Sequence, residues 1–482
     1  MRDISELKPY EVFKNFKILS SIPHGSGNTK KISDYCVEQA KKLNYKYVQD
    51  RADNVIIYVD GTQGYENAAP VALQGHLDMV CDKTDGCILD MQNDSLQLFC
   101  DEEYIFANNT TLGGDDGVAI AYMLTLMEDK TIPHPPLELI FTADEEIGMI
   151  GARAIDVKNL HTNRLINIDS EVEGILTVSC AGGVRAVCSV PLTTEKATGT
   201  AFAFTIAGLK GGHSGTEINK GRVNANKLTG RMLNYIYQET EFKICSISGG
   251  KKYNAIPKEA VATVCVESSN QDKFIAAAKK FITMIKNEKI VNEPDLHITV
   301  APCKLSEKCM DHHSTQTVLF TLLQIPDGVQ TMSPDITNMV QTSLNMGIIE
   351  TKSDHIAMSF LLRSNAAAGK QAIIQKLKSF IEYLNGNIEF MSDYPAWEYR
   401  ADSKLRDIMV KVYSELYGEK PVVTAIHAGL ECGILAGKIT NMDAVSFGPN
   451  IYHAHTPEEK MEIASVERCW EYLKAVLKKL KE

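Results

Sequence analysis

Three apolar runs of strand length, at 71–77, 137–142 and 165–168, each stop at histidine or acidic residues. Runs so short and so uniformly apolar fit strands buried on both faces. Helical patterns at 11–20, 29–43 and 117–128, with a further strand at 54–59, alternate with them over the first ~180 residues. Strands separated by helices predict an α/β fold, a mostly parallel mixed sheet with helices on both faces. In such sheets ligands bind beyond the carboxyl ends of the strands, and that is where the histidine and the acids fall.

At 482 residues the chain exceeds the size at which one core stops growing, so at least two domains are expected. After the turn Ala181-Gly-Gly the character changes. Half-buried strands are predicted at 200–209, 243–248, 260–267 and 297–300, with helices at 223–237 and 272–286. A similar order returns as helix 317–323, strands 343–350 and 355–364, helix 370–384 and strand 388–391. This reads as two related α/β halves, a candidate internal duplication. From Asp393-Tyr-Pro-Ala-Trp the earlier style resumes. The expected organisation is one principal domain built from 1–185 and 393–482, with 186–392 inserted as a lid.

Composition excludes several partners. A formal net charge of −11 disfavours nucleic acid or an anionic membrane, and the lysines at 474–481 form one solvated helix face. The first residues carry no apolar signal-like run, and no window approaches the roughly 18–20 apolar residues a bilayer span needs. The 12 cysteines are scattered without a CxxC pair. Cys180, Cys188 and Cys265 fall in strand-like runs, where a free thiol behaves as a small hydrophobe. Together these features predict a reducing, cytoplasmic setting.

The chemistry lies in five segments. In GHLDMV, His76 and Asp78 are two residues apart on a strand and share a face; a carboxylate there can orient a metal-ligating imidazole or merely pair with it. In LGGDDG, Asp115 and Asp116 open a helix and could be simple caps. In TADEEIG, a strand runs into Asp144, Glu145 and Glu146, whose mutual repulsion needs a positive charge that a divalent cation supplies. IDSE ends another strand in Asp169, and His453 and His455 precede Thr456-Pro-Glu-Glu near the end of the chain. As a set, these histidines and carboxylates suit zinc, cobalt or manganese. Spacing leaves Asp115 or Asp116, and His453 or His455, as alternatives. No phosphate loop, GxGxxG turn or GxSxG elbow is present.

With GGHSG, NAIP, HAGLECG and HTPEE, these motifs span essentially the whole chain and resemble those of the M20 metallopeptidases, among them the aminoacyl-histidine dipeptidases. The resemblance implies a di-zinc exopeptidase type of catalytic domain holding two divalent ions, zinc first, with cobalt or manganese as alternatives. Asp115 bridges the two; His76 and Asp169 complete one site, Glu146 and His455 the other. Asp78 orients His76, Glu145 is the general base, and His213 of the lid stabilises the oxyanion. Asn254 and Arg363 are read as partners of the substrate carbonyl and terminal carboxylate, His427 as a pocket residue, and Glu431 as facing a substrate ammonium. The implied substrates are small dipeptides, Xaa-His such as β-alanyl-histidine with a wider range. An aminoacylase, a carboxypeptidase, a tripeptidase or a silent metal-binding protein are the alternatives. A lid of about 200 residues favours the dipeptidase branch, and both a monomer and a homodimer are compatible with it.

Overall fold

The computed structural model describes residues 3–288 and 292–481. They form two compact units: Met1–Cys180, Trp397–Ala425 and Leu430–Glu482 make the first, Ala181–Ala396 and Ile426–Gly429 the second.

The first unit begins with α1 (Tyr10–Ser20), α2 (Lys30–Lys42), β1 (Lys46–Gln49), β2 (Val55–Val59), β3 (Val71–His76), α3 (Gly114–Glu128), β4 (Leu137–Thr142), β5 (Arg164–Asn167) and β6 (Ile175–Cys180). The second unit contributes β7 (Gly182–Pro191), β8 (Thr200–Ala207), α4 (Ala225–Glu239), β9 (Lys243–Gly249), β10 (Ala260–Val266), α5 (Gln271–Asn287) and β11 (His297–Cys303). It continues with α6 (His312–Gln324), β12 (Val340–Thr351), β13 (His355–Ser364), α7 (Ala367–Tyr383) and β14 (Asn387–Tyr394). The chain then returns to the first unit with α8 (Lys404–Tyr417), β15 (Val422–Ile426), α9 (Glu431–Ala436), β16 (Asp443–Ser446) and α10 (Ile463–Lys479).

The first sheet runs β1-β2-β4-β3-β5-β16-β6-β15. Its centre is parallel, through the pairs β4–β3, β3–β5 and β5–β16, while the pairs β1–β2, β2–β4 and β16–β6 are antiparallel. Every residue of β3 and β4 is buried, which is why those strands read as mainly apolar runs without polar alternation. Helix α3 is buried on all sides from Gly117 to Met127, as expected of a helix enclosed in the core. It approaches β3 at Gly75, where a Cβ would meet Asp116 Oδ2 at 2.5 Å and Ala119 Cβ at 2.7 Å. Glycine at that position lets the start of α3 lie directly on the strand.

The second sheet runs β11-β8-β10-β9-β12-β13-β7-β14, with Gly328–Met332 paired to β12. All these neighbours are antiparallel. Burial alternates along β8 and β7, the mark of a sheet with one face on a core. The order resolves into two copies of one motif, strand-helix-strand-strand-helix-strand. One copy is β8-α4-β9-β10-α5-β11; the other is β7-α6-β12-β13-α7-β14. Each places its four strands in the same spatial sequence, fourth-first-third-second, and the two second strands, β9 and β12, pair to make one continuous sheet.

The first copy is inserted into the second between β7 and α6. Short strands Thr194–Lys196 and Lys308–Met310 pair antiparallel where the chain enters and leaves it. The sequence reading missed the opening strand of the second copy because it lies far upstream of the rest. It also placed 181–185, 393–396 and 426–429 in the wrong unit. A boundary at 185 would cut β7, whose ladders to β13 and β14 run through Gly183.

Candidate metal centre

The parallel strands deliver their side chains at the carboxyl end of the sheet. His76 is the last residue of β3; Glu145 and Glu146 follow β4, Asp169 follows β5, and His455 lies in the loop beyond β16. His76 Nε2 is 3.1 Å from Asp115 Oδ1 and 3.7 Å from Asp169 Oδ1. His455 Nε2 is 3.2 Å from Asp115 Oδ2 and 2.8 Å from Glu146 Oε1. The two oxygens of Asp115 therefore face two different imidazoles. Three groups offer potential ligand atoms lying within 4.8 Å of one another: His76, Asp116 and Asp169; His76, Glu145 and Glu146; and Asp115, Glu146 and His455.

The members of each ambiguous pair differ in their contacts. Asp116 is turned under the strand, its Oδ2 accepting the main-chain N–H of His76 at 3.0 Å. His455 makes the contacts to the carboxylates, whereas the carbonyl of His453 accepts the Thr456 hydroxyl at 2.8 Å within its own turn.

This cluster demands positive charge. Burial pushes the Asp169 and Asp116 carboxyls well above their usual range, and Asp115 and Glu146 together hold the His455 imidazole up to about 11. Divalent cations meet the same demand and free the imidazole nitrogens as ligands. Glu146 Oε1 is buried and accepts no hydrogen bond although it lies 2.8 Å from His455 Nε2. Two ligand atoms in close contact without hydrogen-bond alignment fit a pair aimed at a common ion. The donor set of imidazoles and carboxylates suits zinc, cobalt or manganese.

Around the ligands, main-chain groups carry much of the positioning. His76 Nδ1 lies 2.8 Å from the Asp78 carbonyl oxygen and 3.5 Å from its carboxylate. That carboxylate instead accepts the amides of Glu145 at 2.8 Å and Glu146 at 3.3 Å, and the Ser26 hydroxyl at 2.8 Å. Asp78 thus holds the acidic loop as well as flanking the histidine. Glu145 is pushed up to about 8 by burial, against the pull of His76.

The second unit holds a separate constellation. Thr216 donates its amide to His213 Nδ1 at 3.2 Å. Arg363 Nη2, which can only donate, lies 3.1 Å from His213 Nε2, while Arg363 Nη1 donates to Tyr394 Oη at 2.9 Å and the buried Arg363 Nε has no partner. A buried guanidinium N–H left without a partner fits an anionic oxygen. Asn254 lies next to Ala255, the strand partner of His213, and its carbonyl accepts the Ser214 amide at 3.1 Å. His427 is held between Ser343 Oγ at 2.8 Å and Asn365 Oδ1 at 2.9 Å; the sequence reading assigned it to the catalytic segment, but residues 426–429 pack in the second unit.

Glu431 requires a correction. Its side chain is fully enclosed, at 0% exposure, with Oε2 accepting from Gln74 Nε2 and Thr142 Oγ1, both at 2.6 Å. It cannot present itself to a substrate ammonium. Gln74 also accepts from Asn167 at 2.7 Å, so polar residues on β3, β4 and β5 form one buried network with Glu431. The isolated Gln, Thr and Asn within otherwise apolar runs were the available signal.

The sequence reading also passed over Glu459. Its buried carboxylate accepts the amides of Leu112 at 2.7 Å, Gly113 at 3.1 Å, Gly114 at 2.8 Å and Asp115 at 3.4 Å. It grips the turn that presents Asp115 from the same loop that carries His455. The sign was the second acid of Thr456-Pro-Glu-Glu, four residues after the histidine.

Comparison with known proteins bears on this geometry. The pattern of peptidase family M20/M25/M40 matches residues 72–479. The cytosol non-specific dipeptidase of Escherichia coli (strain K12) is 34% identical over 482 residues, covering 100% of this chain and 99% of that protein. The crystal structure of aminoacylhistidine dipeptidase from Vibrio alginolyticus superposes with a TM-score of 0.94 at 36% identity, covering 99% of this chain and 98% of that one. The structure of human carnosine dipeptidase 1, at 11% identity and a TM-score of 0.51 over 98% of this chain and 96% of that one, shares the fold. Among the described residues, no helix is long and apolar enough to cross a membrane.

Proposed function

The chain belongs to peptidase family M20/M25/M40, and on that premise we propose that it is a two-metal dipeptidase whose ions are held by His76, Asp115, Glu146, Asp169 and His455. It is a peptide-bond hydrolase. The observation that carries the metal reading is Asp115, whose two oxygens address His76 and His455 separately. His76 and Asp169 then complete one ion's shell, Glu146 and His455 the other's. Bound there, two divalent cations, zinc foremost, would lower the pKa of a water between them toward ~7 and polarise a peptide carbonyl.

Within this reading the protein's own groups divide the work. Glu145, raised by burial into the range of a useful base, takes a proton from the water and delivers it to the departing amine. Its neighbour Glu146 is committed to the ion and His455, so adjacent acids serve different ends. Asp78 keeps both in place through their amides. In the second unit, the proposed lid, His213 is the residue that stabilises the carbonyl oxygen as it gains charge. Arg363 matches the terminal carboxylate of the substrate, with Asn254 beside them.

Substrates are dipeptides, Xaa-His among them. The name of the full-length Escherichia coli relative, a non-specific dipeptidase, supports a wide range over a strict histidine requirement. That relative is named as cytosolic, which supports a cytoplasmic enzyme. Metal analysis combined with turnover of β-alanyl-histidine and other dipeptides tests the proposal on wild type and Glu145→Ala. The variant is expected to keep its two ions and lose roughly 10²–10⁴-fold in kcat. Full turnover by the variant removes Glu145 from the role; metal-replete protein without bound divalent ions removes the centre; activity on N-acyl amino acids alone reassigns the substrate.

A further inference from the structure

Three thiols from three strands meet in the second unit, apart from every residue used above. Cys265 of β10 and Cys309 of strand Lys308–Met310 form a small buried cluster with Ala197, and Cys245 of β9 packs against it from a half-buried position. The ladder between β9 and β10 slips between Ile244 and Ser246, so Cys245 sits on a bulge that turns it toward its neighbours. Cys265 is the middle member, packed with the Cys245 and Cys309 thiols and close enough to both, and to the Thr198 amide, for each to bear on its ionisation. Lys243 stands opposite Cys265 in the ladder and pairs with Glu195.

A cavity of about 90 Å³ reaches Cys265 and is lined also by Thr198, Lys243, Glu241 and His312. All these cysteines are free thiols. At Cys36 and Cys188 burial pushes the thiol up to about 12. At Cys265 the Cys245 thiol, followed by Cys309, Thr198 and Lys243, outweighs burial and lowers it. A thiolate that is stabilised, reached by a cavity and flanked by further thiols has the makings of a reactive site.

We propose that Cys265 is a hydroperoxide-reactive thiol with Cys309 and Cys245 as its two resolving partners. The Cys265 thiolate attacks one oxygen of a hydroperoxide; the O–O bond breaks, the other oxygen leaves as an alcohol or water after taking a proton, and the sulfur becomes a sulfenic acid. A neighbouring thiol then attacks that sulfur, the S–O bond breaks and water departs, leaving a disulfide. The two electrons that reduce the peroxide come from the two thiols. With Cys309 as partner, the bond ties the inserted copy of the motif to the strand by which the chain leaves it. A dithiol reductant reverses the change.

The test titrates metal-loaded protein with one equivalent of hydrogen peroxide and maps thiols and disulfides by non-reducing mass spectrometry. The expected product is a disulfide containing Cys265, reversed by dithiothreitol. C309S is expected to divert it to Cys245, and C245S to Cys309. In the double variant C245S/C309S, dimedone should trap a sulfenic acid at Cys265, and C265S should slow peroxide consumption about tenfold or more. Far-UV circular dichroism of each variant controls for folding. Oxidation that begins at Cys81 or another thiol while Cys265 stays alkylatable overturns the proposal, as does a double variant that yields no dimedone adduct at Cys265.

Discussion

Glu459 holds the turn that presents Asp115, the proposed bridging ligand. Four amides converge on the Glu459 carboxylate, and those amides belong to the turn that ends in Asp115. Glu459→Gln keeps the shape but replaces one acceptor oxygen with an N–H that opposes a donor. Groups that orient metal ligands typically matter 10–100-fold in affinity, so this variant should bind its cations roughly that much more weakly in chelator competition, with kcat recovered at saturating metal. Unchanged affinity would reduce Glu459 to a packing residue. The histidines of the second unit make a pH prediction. Burial, reinforced by Arg363, holds His213 at about 4 and His427 at about 3, below the ordinary value near 6.5. The folded state therefore refuses protons that the unfolded chain accepts below pH 6.5. Stability of this unit should be constant above that pH and fall as pH drops toward 4. Thermal melts across pH 4–8 check the slope, and His427→Gln should flatten it; an unchanged slope in the variant sinks the assignment.

At the scale of elements, the contact between β3 and α3 sets the position of Asp115 and Asp116. Gly75→Ala would place a methyl 2.5 Å from Asp116 Oδ2 and 2.7 Å from Ala119 Cβ. Overpacking of this kind costs about 1–3 kcal/mol, and because it displaces the helix start it should lower Tm by a few degrees and weaken metal binding together. A stabilised variant with normal metal content would show that the helix can yield. These elements were legible because β3, β4 and β5 are buried on both faces and leave no polar alternation to confuse with a helix. The strands of the second sheet were harder. β7 sits upstream of the motif to which it belongs, since the inserted copy separates it from α6, and pairing across such a gap leaves no trace in local periodicity.

At the scale of the whole molecule, the first unit concentrates carboxylates whose mutual repulsion cations at the proposed centre would relieve. A ligand that binds only the folded state stabilises that state, so chelation should raise hydrogen exchange in β3, β4 and β5 while β7–β14 keep their protection. Equal loosening of both units would argue that the centre is not confined to the first. The sequence by itself determined the fold class and where its histidine and acids gather: they fall beyond the carboxyl ends of parallel strands because a parallel sheet points all those ends one way. Only the tertiary structure decided which of two adjacent aspartates faces the histidines, that Glu431 is sealed inside, that Glu459 grips the Asp115 turn, and which unit owns His427. Each of those depends on where distant backbone passes and which hydrogen bonds it leaves open, and short-range sequence patterns do not encode such distances.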